Sequence, residues 1–142
     1  MVELDHSFST GKDTDYNWEA ILDLDRVIPC VEGGRVIERT SDESAKAEIK
    51  VRMGAMSLTF TGTVEVAERD DPAHRAVLRI KSKEKSGQGH ANADVTFDLH
   101  DSGGTLHTAA QISGKAASMG EGVVQSVLDA LIKDFTSKLA RI

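Results

Sequence analysis

Seven successive segments in which apolar and polar residues alternate, followed by one long stretch with helical spacing, leave this chain few ways to fold. Period-two alternation marks strands buried on one face, and a 3.6-residue period marks an amphipathic helix. A sheet with one dry face and a helix with one dry stripe must cover each other. The side chains on the inward face of the strands are unusually small: Ala45, Ala47, Gly62, Ala76, Ala91 and Ala93. The pattern predicts an α+β fold in which a curved, seven-stranded antiparallel sheet wraps around a long C-terminal helix, with two small helices after the first strand and apolar space left between the layers.

Along the chain, Val2, Leu4, His6 and Phe8 share one side of the first strand. Asp13 or Asp15 can cap a helix that puts Trp18, Ile21 and Leu22 on one face. A second helical turn is expected from Asp25 through Val27 and Ile28, ended by Pro29. Gly33 and Gly34 then open a meander of strands. One strand sets Ala45, Ala47, Ile49, Val51 and Met53 against Lys46, Glu48, Lys50 and Arg52, and the next sets Leu58, Phe60, Val64 and Val66 against serine, threonine and glutamate, with Gly62 as a candidate bulge or bend. Ala76, Leu78 and Ile80 continue the inward set before a polar connection, KSKEKSGQG. Ala91, Ala93, Val95, Phe97 and Leu99 precede a DSGG turn, and Leu106 and Ile112 are the inward residues expected of the last strand. Ser118 and Glu121 match a capping box. The helix behind it carries the stripe Val123, Val124, Val127, Leu128, Leu131, Ile132, Phe135 and Leu139.

Composition narrows the function. A chain of 142 residues without an internal linker fits a single domain, residues 1–142, and 39% hydrophobic content supplies its core. Only 4% of residues are aromatic, so aliphatic and small side chains must fill most of that core. A net charge of -6 argues against nucleic-acid partners, whose phosphates call for Lys and Arg. No apolar run approaches the roughly 20 residues of a membrane span, and the MVELDHSF start lacks the basic and apolar regions of a signal peptide, so a cytoplasmic location is expected.

No catalytic or metal motif emerges. The five histidines have no ligand spacing and read as separate surface or edge residues, although His6 and His107 could meet in space if the first and last strands both approach the helix. Cys30 is the only cysteine, which rules out an internal disulfide, and VIPCVEGG is no nucleophile motif. Carboxylates such as Asp94 and Asp98 point outward by alternation, leaving Asp23 and Glu121 as acids near a pocket mouth. No cofactor and no metal are expected.

Four segments, WEAILDLDRVIPCVEGG, MGAMSLTFTGTVEVAERDD with RAVL behind it, SGQGHANADVTFDL and ISGKAASMGEGVV, resemble in this order the carbon monoxide dehydrogenase G-subunit family, part of the START-like (SRPBCC) superfamily of helix-grip folds. IPCVEGG and G-x-x-S-L-T-F-T-G carry the most specific similarity. The resemblance implies a hydrophobic cavity between sheet and last helix. It also implies an accessory role beside molybdenum-containing carbon monoxide dehydrogenases and related hydroxylases, with a quinone or lipid-like cargo and a link to the membrane. Longer members continue past the gripping helix; here the sequence stops at Ile142, so contact with the membrane is expected through a partner or peripherally.

Three functions follow for comparison. A carrier of an apolar guest, quinone or lipid-like, would use Met53, Leu58, Phe60, Ala93, Val95, Phe97, Met119, Val123 and Val127 as lining, the methionines adapting to guest shape. A cyclase or hydrolase would need an acid or histidine in the cavity, and inward alternation offers only His6. An assembly factor for a dehydrogenase would need no small ligand.

Overall fold

The computed structural model describes residues 1–142. Strand β1 (Val2–Ser9) is followed by helices α1 (Thr14–Leu22) and α2 (Leu24–Val27) and a 3-10 turn over Ile28–Cys30. Strands β2 (Gly34–Ser41), β3 (Ser44–Met53), β4 (Met56–Asp70), β5 (Arg75–Glu84), β6 (Gly89–His100) and β7 (Gly103–Gly114) come next, and helix α3 (Glu121–Leu139) closes the chain. The sheet has seven antiparallel strands in the order β1-β7-β6-β5-β4-β3-β2, so the first strand returns to pair with the last and β2 lies at the far edge.

The alternation read from sequence is the alternation observed for the apolar set, but Glu48, expected on the wet face with Lys46, Lys50 and Arg52, is buried beside Arg35. Ala45, Leu58, Phe60, Ala76, Leu78, Phe97, Leu99, Leu106 and Ala110 are buried on the inward face. The DSGG hairpin turns on Asp101 and Ser102, both at positive φ (49° and 61°), the pair of left-handed residues a two-residue turn needs to match the twist of its strands.

Several local expectations are corrected. Asp23, not Asp25, caps α2, accepting from the Asp25 N–H, and Pro29 enters the 3-10 turn, where a proline at the first positions gives up no needed donor. The KSKEKSGQG segment is not a loop throughout: Lys81–Glu84 continue β5 in register with β4, with Ser82 and Glu84 buried and the lysines outside. Glu84 can be buried there because its carboxylate accepts from the Ser86 hydroxyl and from the Ser86 and Gln88 N–H groups, which together hold its pKa low. The capping box is absent. Gly120 is the N-cap of α3, while Ser118 lies in a preceding 3-10 turn and donates to the Lys115 carbonyl.

Gly62 is not a bulge either: the register runs through it unbroken to Ala47 and to Ser82, and the irregularity lies between Val66 and Glu68. Its missing side chain serves a close approach instead. A Cβ there would stand 1.9 Å from the Lys81 carbonyl oxygen.

Two hydrophobic clusters hold the layers together. The larger joins Trp18, Ile21 and Leu24 of the small helices to Phe97, Leu106, Ile132, Phe135 and Leu139. Phe97 and Phe135 meet edge to face with ring centroids 6.4 Å apart, the geometry favoured by aromatic quadrupoles. The smaller gathers Val2, Met53, Leu58, Phe60, Ala116 and Val124 at the other end of α3. The backbone of α3 comes closest to β1 at one edge of the sheet and makes no comparably close approach to the middle strands. A helix seated at an edge above small inward residues cannot fill the concave centre.

Candidate functional site: the cavity beneath the last helix

The space left over is a cavity of about 240 Å³ between the two clusters, partly open to solvent, with 25 hydrophobic residues among the 32 that line it. Strands β3 to β7 form its floor through Ala47, Val64, Ile80, Ala93, Val95 and Ala110; α3 forms its roof through Val124, Val127, Leu128, Leu131, Ile132 and Phe135; Val27, Ile28 and Val31 close one side. Ala93 and Val95 lie on an interior strand with α3 above them, yet both keep accessible surface, as wall residues of a hollow do.

Of the nine lining residues expected from sequence, Met53, Phe60, Ala93, Val95, Phe97 and Val127 lie in the wall. Leu58 is buried in the smaller cluster, outside the wall, and Met119 packs partly against that cluster. Val123 is 41% exposed and does not reach the cavity. It sits one residue before the inward Val124, and a step of about 100° around the helix takes it out of the apolar stripe. Wall residues that the sequence pattern did not single out come largely from the segments around Val27 to Val31 and from Thr108 and Ala110 of β7. The apolar character of IPCV carries the first signal, but nothing in the sequence places it against α3.

The wall is electrostatically almost blank. Glu48 is its only ionisable residue, and its carboxylate is turned to Arg35 at 3.3 Å. No His, Asp, Lys or Arg lines the space. An uncharged hydrocarbon wall of this size suits transfer of an apolar molecule out of water, which contributes roughly 25 cal/mol per Å² of apolar surface removed. For scale, a dry apolar cavity of about 150 Å³ admits benzene, and drug-sized ligands occupy roughly 300–1,000 Å³.

The sequence profile of the carbon monoxide dehydrogenase G-subunit family, CoxG, matches residues 7–142. The chain belongs to this family. Among curated proteins no sequence matches it. A conserved protein of Geobacillus kaustophilus shares the fold with a TM-score of 0.75 and 21% identity, over 98% of this chain and 90% of that one. A START superfamily protein from Mycobacterium smegmatis superposes with a TM-score of 0.59 at 10% identity, over 98% and 93% of the two chains. The Zhui aromatase/cyclase of Streptomyces sp. R1128 gives 0.61 at 12% identity, over 98% and 91%. Such similarity establishes the START-like fold, as the CoxG-family sequence leads one to expect, and leaves function to the site.

The other candidates of this CoxG-family chain lie apart from the cavity. His6 faces inward on β1, and its Nε2 lies 2.8 Å from Asp129 Oδ1 on α3, while Lys133 holds the other Asp129 oxygen at 3.0 Å. Lys133 first, and His6 second, keep the Asp129 carboxyl below the usual range. His107, one residue past the partner of His6 on β7, points to the opposite face of the sheet and bonds Asp5 Oδ1 at 2.7 Å, so the two histidines do not meet. Asp5, then Glu3, raises the His107 pKa. Asp23 is used as a cap, and Glu121 is exposed at the start of α3. Asp94 pairs with Arg79 at 2.9 Å on the outer face. Cys30 is half-buried with its thiol pKa raised by burial, the opposite of an activated nucleophile. No group of three or more His, Cys, Asp and Glu residues could hold a metal ion, and no helix is long and apolar enough to cross a membrane.

Proposed function

We propose that this CoxG-family protein binds and carries a hydrophobic guest, quinone or lipid-like, without chemically changing it, as an accessory to a carbon monoxide dehydrogenase-type molybdenum hydroxylase, where that partner can bring it to the inner face of the membrane. The observation that carries the reading is the cavity of about 240 Å³ whose wall is hydrocarbon apart from a few polar residues and holds no free acid or base. Its size fits a ring-sized head better than a whole prenyl chain, so a long guest would leave its tail in the opening. Each methylene that does enter contributes about 0.8 kcal/mol without any specific contact. Native mass spectrometry of the protein purified from its own host is expected to show an apolar compound that organic solvent removes. Protein that emerges empty, and that fails to take up ring-sized apolar probes, overturns the reading.

A cyclase-type enzyme is the second reading, favoured by the His6–Asp129 pair, in which a carboxylate orients a partly buried imidazole. His6 is not part of the cavity wall, which weighs for carriage. An assembly factor without a ligand remains a distinct outcome: a plugged variant, Ala93→Phe, that still binds its dehydrogenase subunit and supports its activity would favour assembly over carriage.

A further inference from the structure

Thr108 stands apart among the polar residues of the cavity wall. Ser82 donates its hydroxyl to the Ala91 carbonyl, Asn92 accepts from the Ser82 N–H, Glu48 engages Arg35, and Thr63 is on the outer side of β4. Thr108, on the inward face of β7, is 5% exposed, and its Oγ1 has no hydrogen-bond partner. A buried hydroxyl without a partner destabilises the fold, and valine would fill the same volume without that penalty. A second orphan lies close by. His6 is paired across the strands with Leu106, two residues from Thr108 on the same inward face; its Nδ1 is buried and unpaired while its Nε2 faces Asp129. Of the two unsatisfied atoms only that of Thr108 belongs to a residue of the cavity wall.

We infer that Thr108 is the polar anchor of the cavity and that the guest presents it with a carbonyl oxygen on an otherwise apolar, ring-sized body. The inference rests on the carriage reading above and sharpens it, since a pure hydrocarbon chain gives Thr108 nothing to bond. Oγ1 is covered as it stands, and no hydrogen bond holds it there. The anchor therefore requires a turn about χ1 from one staggered position to another that brings the hydroxyl to the wall. The guest's carbonyl then accepts from the hydroxyl and satisfies a donor that the protein alone leaves unpaired, in a setting where few other polar groups compete. Orientation follows as well: the oxygen-bearing end lies against β7 beneath α3, and the apolar remainder faces Ala93, Val95 and Val127.

The test uses two neutral probes of one shape, 1-tetralone and tetralin, which differ by a single carbonyl, titrated calorimetrically into the wild-type chain, Thr108→Val and Thr108→Ser. The quantity read is the change in the tetralone-to-tetralin affinity ratio between wild type and variant, in which the different hydrophobicity of the probes cancels. Thr108→Val is expected to lower that ratio about three- to tenfold, the range of one net hydrogen bond, while tetralin binding is kept and Thr108→Ser restores the ratio. Retained tetralin binding shows that the variant is folded and its cavity intact. An unchanged ratio in Thr108→Val, with both probes bound, overturns the anchor and leaves carriage standing. Failure of the wild-type chain to bind either probe overturns both.

Discussion

Replacing Ala93 with phenylalanine separates a real hollow from a packed interior by the sign of the stability change. Ala93 stands on β6 between Ile80 of β5 and Ala110 of β7, and all three line the cavity. The added phenyl ring is benzene-sized, and apolar cavities of about 150 Å³ accept benzene, so a space of about 240 Å³ has room for it. Burying a Phe side chain contributes roughly 1.5–3 kcal/mol, from which about 0.5–1 kcal/mol is lost to rotamer ordering. A net gain near 1–2 kcal/mol is therefore expected. In a close-packed core the same change would force side chains off their rotamers and cost about 1–3 kcal/mol. Urea unfolding followed by circular dichroism decides between the two, with the m-value checked for constancy so that the midpoint shift reports stability alone. A midpoint that rises, together with loss of binding by ring-sized apolar probes, is the expected pair of results. A midpoint that falls by the equivalent of more than about 1 kcal/mol, at constant m, would refute the hollow and the function built on it.

Gly62→Ala should be severe: its Cβ would lie 1.9 Å from the Lys81 carbonyl oxygen and 2.6 Å from the Ser82 Cα, both backbone atoms that cannot swing away, so a loss of at least about 2 kcal/mol is expected in the same unfolding assay. Asp13→Ala removes the oxygen that accepts from the Tyr16 N–H at 2.7 Å and should cost about 1 kcal/mol, whereas Ser118→Ala, at a position that caps nothing, should stay within about 0.5 kcal/mol. His107 has a folded-state pKa raised by Asp5 and Glu3, so its contribution is full below the ordinary histidine value and fades as pH rises through the higher folded one. Thermal unfolding between about pH 6 and pH 9 should show a small decline in that window, under about 1 kcal/mol for a pair this exposed, and His107→Asn should flatten it.

Strand polarity, the helical stripe of α3 and the family were legible because each is written in local spacing or in contiguous blocks. A one-residue shift would turn Ala45, Phe60 or Phe97 to the solvent, so alternation alone assigns their side of the sheet. Local spacing failed where a distant partner decided the outcome. Lys81–Glu84 read as a loop from their charge, yet pairing with Phe60–Thr63 makes them strand, and hydrogen bonds from the following turn let Glu84 be buried. Ser118 had the spacing of a cap, but the chain enters α3 through a 3-10 turn that uses its hydroxyl elsewhere.

The candidate site divides along the same line. Sequence determined that small residues face inward on the strands and that an apolar helix must lie over them, because backbone geometry fixes which side chains share a face. Only the tertiary structure decided that α3 settles nearest to β1 and leaves the centre unfilled, that the Val27–Val31 segment closes one side, that Leu58 and Val123 miss the space, and that Thr108 keeps an unpaired hydroxyl in its wall. The reason is that periodicity specifies the direction of a side chain but not the distance to the surface opposite, and a cavity is a matter of that distance.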